Sequence, residues 1–213
     1  MADSYVEDRP VTARYLDPLE LVWLATARRL GLTVRRDPDV FAATDGRGLL
    51  RLSTREHLDA DDSVAQMVFH EICHWIVNGR EAVNQPDWGF ELDWEEDGRE
   101  YATQRLQAAL ADRHGLRSFF SSTGSYRGYF DRLGDDALAP LDGSPEEARV
   151  AGLAREALAR ADEAPWSEPL GDALTSTAAM HALVSPFLAH YATDDDDPLP
   201  SLWDPSRPVG VDP

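Results

Sequence analysis

The stretch SVAQMVFHEICHWIVNG, residues 63–79, decides how the rest of the chain is interpreted. It contains His70, Glu71 and His74 in the pattern HExxH. Side chains four positions apart lie on the same face of an α-helix, so the two imidazoles can bind one metal ion. Glu71 stands beside them, where it can deprotonate a water molecule. The pattern predicts a metal site with His70 and His74 as ligands and Glu71 as the catalytic base.

The ends of this stretch predict a buried helix. Ser63 is a favourable N-cap, Gln66 completes a capping box, and Gly79 is a usual helix stop. Apolar residues cover nearly every face in between, so the helix belongs in the core. Two histidines and a glutamate are costly to bury there unless something binds them. Cys73 lies on a different face from the histidines, and we interpret it as a small buried apolar side chain.

Composition limits the class of protein. The 213 residues fit one domain, and a hydrophobic content of 43% can form a sizeable core. A net charge of -19 disfavours nucleic acid as a partner and would attract a basic peptide or protein. The single cysteine excludes an internal disulfide framework. The start MADSYVEDRP lacks a signal-peptide pattern and no apolar run reaches membrane-spanning length, so we expect a cytoplasmic protein without a membrane partner.

The residues before the HExxH stretch predict a helix and a small sheet. A capped helix should run from Pro18 to about Leu30, and the alternating residues 32–36 read as a strand. Strands at 40–43 and 49–53 flank the turn sequence DGRG and should form a hairpin. A helix, a small sheet and then an HExxH helix is the order found at the start of zincin catalytic domains.

We therefore expect an α+β, zincin-like fold, with the small N-terminal sheet packed on the HExxH helix and a mostly helical C-terminal half. A single metal-binding domain is predicted over residues 1–193. Its core should span about 16–140, with extra helices at about 144–192. An acidic, proline-rich tail follows at 194–213. The sequence leaves the oligomeric state open.

A catalytic metal site usually has three protein ligands and one water molecule, so a third ligand is required. No third histidine follows at the metzincin spacing, which favours a carboxylate from a second helix, as in gluzincins. A helix predicted at about 94–113 carries Glu96 and Glu100 one turn apart. Its main apolar stripe, with Ala102 and Leu106, points well away from Glu100. The residues alone leave both glutamates open as the third ligand.

A local resemblance favours Glu100. Residues 70–115 resemble the elongation factor P hydroxylase family, itself a family of HExxH metalloproteins, over under a quarter of the chain. The matching residues are His70, Glu71, Ile72, His74, Trp75, Gly79, Asp87, Trp88, Gly89, Phe90, Glu100, Gln104, Leu106 and Gly115. In that family the third metal-binding carboxylate lies on the helix matched by Glu100. The resemblance implies that Glu100 is the third ligand.

Three functions are compatible with this pattern. The first is a zinc metallopeptidase-like hydrolase that uses a metal-activated water on a peptide or protein substrate. The second, implied by the resemblance, is an iron-dependent protein hydroxylase whose target is a modified lysine on a translation factor. The third is a non-catalytic, metal-stabilised binding module. The intact Glu71 favours an enzyme, because a structural site needs no base.

Peptide hydrolysis also needs a donor for the oxyanion. The candidates are Tyr126, Arg127, Tyr129 and His181. The sequence does not choose among them.

Overall fold

A computed structural model of the protein describes residues 16–58, 62–90 and 98–188. These ranges contain helices and a small sheet, which confirms the α+β class. The helices are α1 (Pro18–Arg29), α2 (Val64–Asn78), α3 (Arg99–Asp112), α4 (Arg127–Phe130), α5 (Pro145–Ala161) and α6 (Ser167–Leu188). The strands are β1 (Thr33–Arg36), β2 (Ala42–Thr44) and β3 (Leu49–Leu52).

The chain divides into two compact units, Met1–Ala178 and Ala179–Pro213. The sheet, the candidate metal centre and both cavities described below belong to the first unit. The boundary predicted between residues 193 and 194 stays a prediction. No helix within the described ranges is long and apolar enough to cross a membrane.

Local signals place the first helices as predicted. Asp17 caps α1 by accepting hydrogen bonds from the backbone N–H groups of Leu19 and Glu20. Ser63 caps α2 by accepting from the N–H of Gln66, and Gly79 follows the last helical residue with a φ of 89°. The predicted start of α3 near Trp94 lies outside the described residues.

Helix α6 begins at Ser167. This start places Pro169 in the first turn of the helix. Backbone N–H groups in a first turn have no intrahelical acceptor, so a proline costs no hydrogen bond there.

The sheet has the strand order β1-β3-β2, with β1 parallel and β2 antiparallel to β3. The predicted hairpin is thus confirmed as β2 and β3. Ser53 N–H donates to Phe41 O, and Asp45 N–H donates to Leu49 O. Because alternate residues of an antiparallel strand pair with the same neighbour, the backbone N–H and C=O of Ala42 point away from β3.

Helix α2 lies at the centre of the core and packs against α1, α3 and α5. Twelve of its fifteen residues are buried, as the apolar sequence predicts, and Cys73 is among them. Helix α3 also packs against both α2 and α5. It is buried on nearly every face although many of its residues are polar. Its buried polar and charged residues are Glu100, Thr103, Gln104, Arg105 and Gln107.

Candidate metal centre

Helices α2 and α3 bring two imidazoles and one carboxylate together. The Nε2 atoms of His70 and His74 are 2.8 Å apart. Glu100 places Oε2 3.1 Å from Nε2 of His74 and Oε1 3.5 Å from Nε2 of His70. Ligand atoms at ~2.0–2.1 Å from a tetrahedral ion lie about 3.3 Å from one another. The two distances to Glu100 lie close to this value, whereas the two imidazole nitrogens, at 2.8 Å, are closer together.

Gln107 fixes the orientation and protonation of His70. The amide nitrogen of Gln107 donates to the carbonyl of Phe120 at 2.8 Å, which turns its Oε1 toward Nδ1 of His70 at 2.9 Å. An amide oxygen only accepts, so the proton of a neutral His70 is on Nδ1. Its Nε2 then presents a lone pair to His74 and Glu100.

Thr103 plays the corresponding part for His74. Its hydroxyl donates to the carbonyl of Arg99 at 3.0 Å and lies 3.4 Å from Nδ1 of His74, where it can accept. This assignment leaves Nε2 of His74 as a second lone pair. Burial lowers the pKa of His74 well below its ordinary value, and electrostatic interactions with His70 and Arg99 lower it further. Neutral His74 forms no ion pair with Glu100.

With the protons of both imidazoles on Nδ1, the cluster consists of three acceptors with no donor between them. Two imidazole lone pairs and a carboxylate repel one another at 2.8–3.5 Å. Burial strengthens that repulsion, because Glu100 is 5% exposed and His74 9%. A divalent cation relieves it, and nitrogen and carboxylate oxygen suit Zn²⁺ or Fe²⁺. The residues thus fit a metal ion.

Glu71 stands next to this cluster with its own anchor. One ligand atom from each of His70, Glu71 and His74 lies within 4.8 Å of the others. Glu71 is thus a second carboxylate within reach of an ion, but Glu100 is closer to both imidazoles. The indole N–H of Trp88 donates to Oε2 of Glu71 at 2.8 Å. This bond holds Glu71 at the edge of the cluster, where a general base is needed.

Burial raises the pKa of the Glu71 carboxyl above its ordinary value. The nearby Glu100 carboxylate raises it further, whereas His70 and the hydrogen bond from Trp88 lower it. A raised pKa suits a group that takes and returns a proton near neutral pH.

A strained loop delivers Trp88 to Glu71. Asp87 and Trp88 have φ angles of 48° and 57°, in the left-handed region that residues with side chains seldom occupy. The backbone N–H of Thr44 in β2 donates to Oδ1 of Asp87 at 2.8 Å. Arg99 donates to Gly89 O at 3.1 Å. Bonds from the sheet and from α3 therefore hold the loop in this conformation.

The aromatic rings of the loop complete the wall of the centre. Trp88 stacks on Trp75 with ring centroids 5.5 Å apart, and Phe90 packs edge-on against His74 at 4.4 Å. The guanidinium of Arg99 lies over the Phe90 ring at 4.7 Å. The block Asp87–Phe90, which carries part of the family resemblance, thus contacts both Glu71 and His74.

The centre opens into a cavity of ≈ 400 Å³. His70, Glu71, His74 and Glu100 all line it. The remaining wall includes Met67, Trp88 and Phe90 together with Phe41 and Ala42 beside the sheet edge. A closed structural site would have no such opening.

The other predicted site residues have different positions. Glu96 lies outside the described residues. Tyr129 bonds to Arg105 and Glu147, and Arg127 pairs with Asp131. Tyr126 lines a second cavity that borders His70. His181 belongs to the second unit.

Sequence reasoning missed Thr103, Gln107 and the bond from Trp88 to Glu71. The first two share a signal that was present in the sequence. Glu100, Thr103, Gln104 and Gln107 follow the spacing i, i+3, i+4, i+7, which places them on one face of α3. A polar stripe on one helix that faces an HExxH helix indicates ligands and their hydrogen-bond partners.

Comparisons of the chain with protein-family models, with curated proteins and with solved structures found no match. The resemblance to the elongation factor P hydroxylase family therefore stays a prediction, and proposals about function depend on the geometry of the centre.

Proposed function

We propose that this protein is a zinc-dependent hydrolase of zincin-like fold that cleaves a peptide bond with Glu71 as the general base. The observation that carries the proposal is the acceptor-only cluster of His70, His74 and Glu100 at the wall of an open cavity. His70, His74 and Glu100 would hold the ion. When bound, zinc acidifies water and polarises a carbonyl group.

Glu71 performs the proton transfers in this proposal. Its carboxylate accepts a proton from the attacking water and donates it to the amine that leaves. Trp88 keeps Oε2 oriented during both transfers through its 2.8 Å bond. The raised pKa of Glu71 makes the carboxylate a stronger base toward the attacking water.

The sheet edge supports a peptide as the substrate. The N–H and C=O of Ala42 point away from β3, and Ala42 lines the cavity of the metal centre. An extended chain can hydrogen-bond to such an edge by strand addition. This would present a peptide bond to Glu71, while the apolar rings of Phe41 and Phe90 contact its side chains.

The first test compares Glu71→Gln with the wild-type protein. We expect Glu71→Gln to keep its zinc content, because the three ligands are unchanged. We expect peptide cleavage to fall by about 10²–10⁴-fold, the contribution usual for a general base. Zinc is measured by elemental analysis and cleavage by mass spectrometry of a peptide mixture.

Glu81→Gln is the matched control, because Glu81 is an exposed carboxylate outside the cavity. It should keep both zinc and activity. If the zinc-loaded wild-type protein cleaves no peptide in the mixture, or if Glu71→Gln cleaves as fast as wild type, the proposal is wrong.

The same ligand set supports a second candidate function. Two histidines and one carboxylate with open positions also suit a non-haem iron(II) hydroxylase, as the local resemblance implies. Elemental analysis of protein purified without chelators separates the two. Iron, together with oxygen-dependent addition of one oxygen atom to a protein substrate, would favour the hydroxylase. Zinc together with peptide cleavage would favour the hydrolase.

A further inference from the structure

A second cavity, of ≈ 290 Å³, also borders His70. It shares Phe41, Met67 and His70 with the cavity of the metal centre, so the two adjoin at the same imidazole. A substrate that reaches the metal centre therefore passes close to this second space. Neither the metal ligands Glu100 and His74 nor the base lines it.

The described wall of the second cavity contains many uncharged polar side chains and no formal charge. Three glutamine side chains, Gln66, Gln104 and Gln107, face it together with the serine- and threonine-rich segment 121–126. None of the described lining residues is Asp, Glu, Lys or Arg. Such residues make up 28% of the chain, a share that would give about three among twelve lining residues.

An ionised group would be unfavourable in this cavity. It would lose water and meet no opposite charge in the described wall. Asp62 and Glu100 accept hydrogen bonds from Thr123 and Gln104, but neither carboxylate lines the cavity. An apolar group would leave the buried Oε1 of Gln104 without a partner.

Gln104 supplies a specific acceptor in this wall. Its amide nitrogen donates to Oε1 of Glu100 at 2.6 Å. This bond distinguishes the nitrogen of the amide from its oxygen. Its Oε1 has no hydrogen-bond partner among the described residues, and the residue is 1% exposed. Buried carbonyl groups are nearly always paired, so this oxygen indicates a donor that comes with a ligand.

We propose that this cavity binds the carboxamide side chain of a glutamine or asparagine in the substrate. A carboxamide is uncharged, its N–H can meet Oε1 of Gln104, and its oxygen can accept from the hydroxyl of Ser125. The hydroxyls of Ser121, Ser122 and Thr123 donate within the protein. That this carboxamide belongs to a peptide substrate rests on the proposed function. The selectivity of the cavity rests only on its wall.

Binding of small probes tests the selectivity without any cleavage. The probes are the N-acetyl methylamides of glutamine, glutamate, lysine and methionine, which have similar size and differ in charge and hydrogen bonding. Binding is followed by NMR through the side-chain amides of Gln104 and Gln107. We expect the glutamine probe to bind at least about tenfold more tightly than each of the other three. Equal binding of the glutamate, lysine or methionine probe, or no binding of the glutamine probe, would overturn the proposal.

Two variants locate the effect. Gln104→Met removes the acceptor at similar volume and should reduce the preference for glutamine over methionine to about twofold or less. Ser125→Ala, at an exposed position in the same wall, should weaken the glutamine probe by about two- to threefold without any risk to folding. Zinc content is measured in both, because Gln104 also bonds to Glu100. An unchanged preference in both variants would contradict the assigned cavity.

The outcomes for the two proposals are distinguishable. Selective probe binding without cleavage of any peptide would refute the hydrolase and leave the carboxamide cavity standing. Cleavage of peptides with no enrichment of glutamine or asparagine near the cut bond would refute the carboxamide cavity alone.

Discussion

Helix α3 contributes to two buried polar clusters that differ in their balance of donors and acceptors. At the metal centre, Glu100 meets the lone pairs of His70 and His74, and no donor lies between the three groups. At the second cluster, the guanidinium of Arg105 is fully buried and surrounded by acceptors. Glu100 and Arg105 are both buried, so burial alone does not distinguish a ligand site from a structural network.

The Arg105 cluster satisfies its own charge. Arg105 donates to the hydroxyl of Tyr129 at 2.7 Å, to the carbonyls of Ala137 and Ala139 at 2.6 Å each, and to the carboxylate of Glu147. Burial raises the pKa of Tyr129 to about 12, so its hydroxyl keeps the proton that it can donate to Glu147. This cluster needs nothing from outside, whereas the residues of the candidate metal centre supply no cation of their own. We infer that a binding site is indicated by an imbalance of donors and acceptors, more than by the number of polar groups.

Replacing Arg105, the cation of the Arg105 cluster, should have the largest effect on stability. Arg105→Met leaves Glu147 without its cation and the carbonyls of Ala137 and Ala139 without this donor. We expect the free energy of unfolding to fall by about 3–5 kcal/mol, as for other broken buried ion pairs. Urea unfolding measures the loss, and the zinc affinity of the folded fraction should stay as in the wild type.

The double variant Arg105→Met with Glu147→Leu is the control for this result. It removes both charges and should recover part of the lost stability. A loss below about 1 kcal/mol in Arg105→Met would mean that the cluster is not a structural anchor.

Replacing glutamate by glutamine should change the stability of the metal-free protein in opposite directions at Glu100 and at Glu147. Glu100→Gln keeps an oxygen for Gln104 and places an NH₂ group near Nε2 of His74, where it can donate. We expect metal-free Glu100→Gln to gain about 1 kcal/mol of stability. Glu147→Gln should lose stability, because it weakens the pairing of Arg105.

Zinc binding gives the second readout for Glu100. Metal sites in proteins are worth about 10–16 kcal/mol in total, so the loss of one ligand should cost about 3–4 kcal/mol of zinc binding. Competition with a chelator measures the affinity, and Glu147→Gln should leave it unchanged. Full zinc occupancy in Glu100→Gln and in Glu100→Ala would overturn the assignment of Glu100 as a ligand.

The parts of the fold that were predictable are those with local signals. The cap at Asp17, the turn sequence DGRG and the apolar helix between Ser63 and Gly79 each specify their structure within a few residues. The HExxH spacing likewise places His70 and His74 on one face, because that follows from helix geometry alone. In these segments, neighbours in sequence are sufficient to determine the result.

The rest depends on contacts between distant segments. The parallel pairing of β1 with β3 requires a strand arrangement that no local pattern records. Helix α3 is buried although its sequence is polar, because its polar side chains bond to other parts of the protein instead of water. Gln107 bonds to His70 on α2 and to the carbonyl of Phe120, and Arg105 bonds to Glu147 on α5. The left-handed backbone at Trp88 depends on the bond between Thr44 and Asp87, which are far apart in sequence. No local sequence pattern therefore predicted the contact of Trp88 with Glu71.

The smallest expected effect separates the two functions of Gln107, which bonds to His70 and to the backbone of Phe120. Gln107→Met loses both bonds, and we expect zinc affinity to fall by about 10–100-fold, as for other partners of metal-bound histidines. Gln107→Glu cannot donate to Phe120 but still accepts from Nδ1 of His70, so it should keep wild-type zinc affinity or exceed it. Both variants should lose about 1–3 kcal/mol of stability from the unpaired carbonyl of Phe120. Equal zinc affinities in the two variants would show that the orientation of His70 does not depend on Gln107, and the acceptor-only description of the metal centre would then lose its main support.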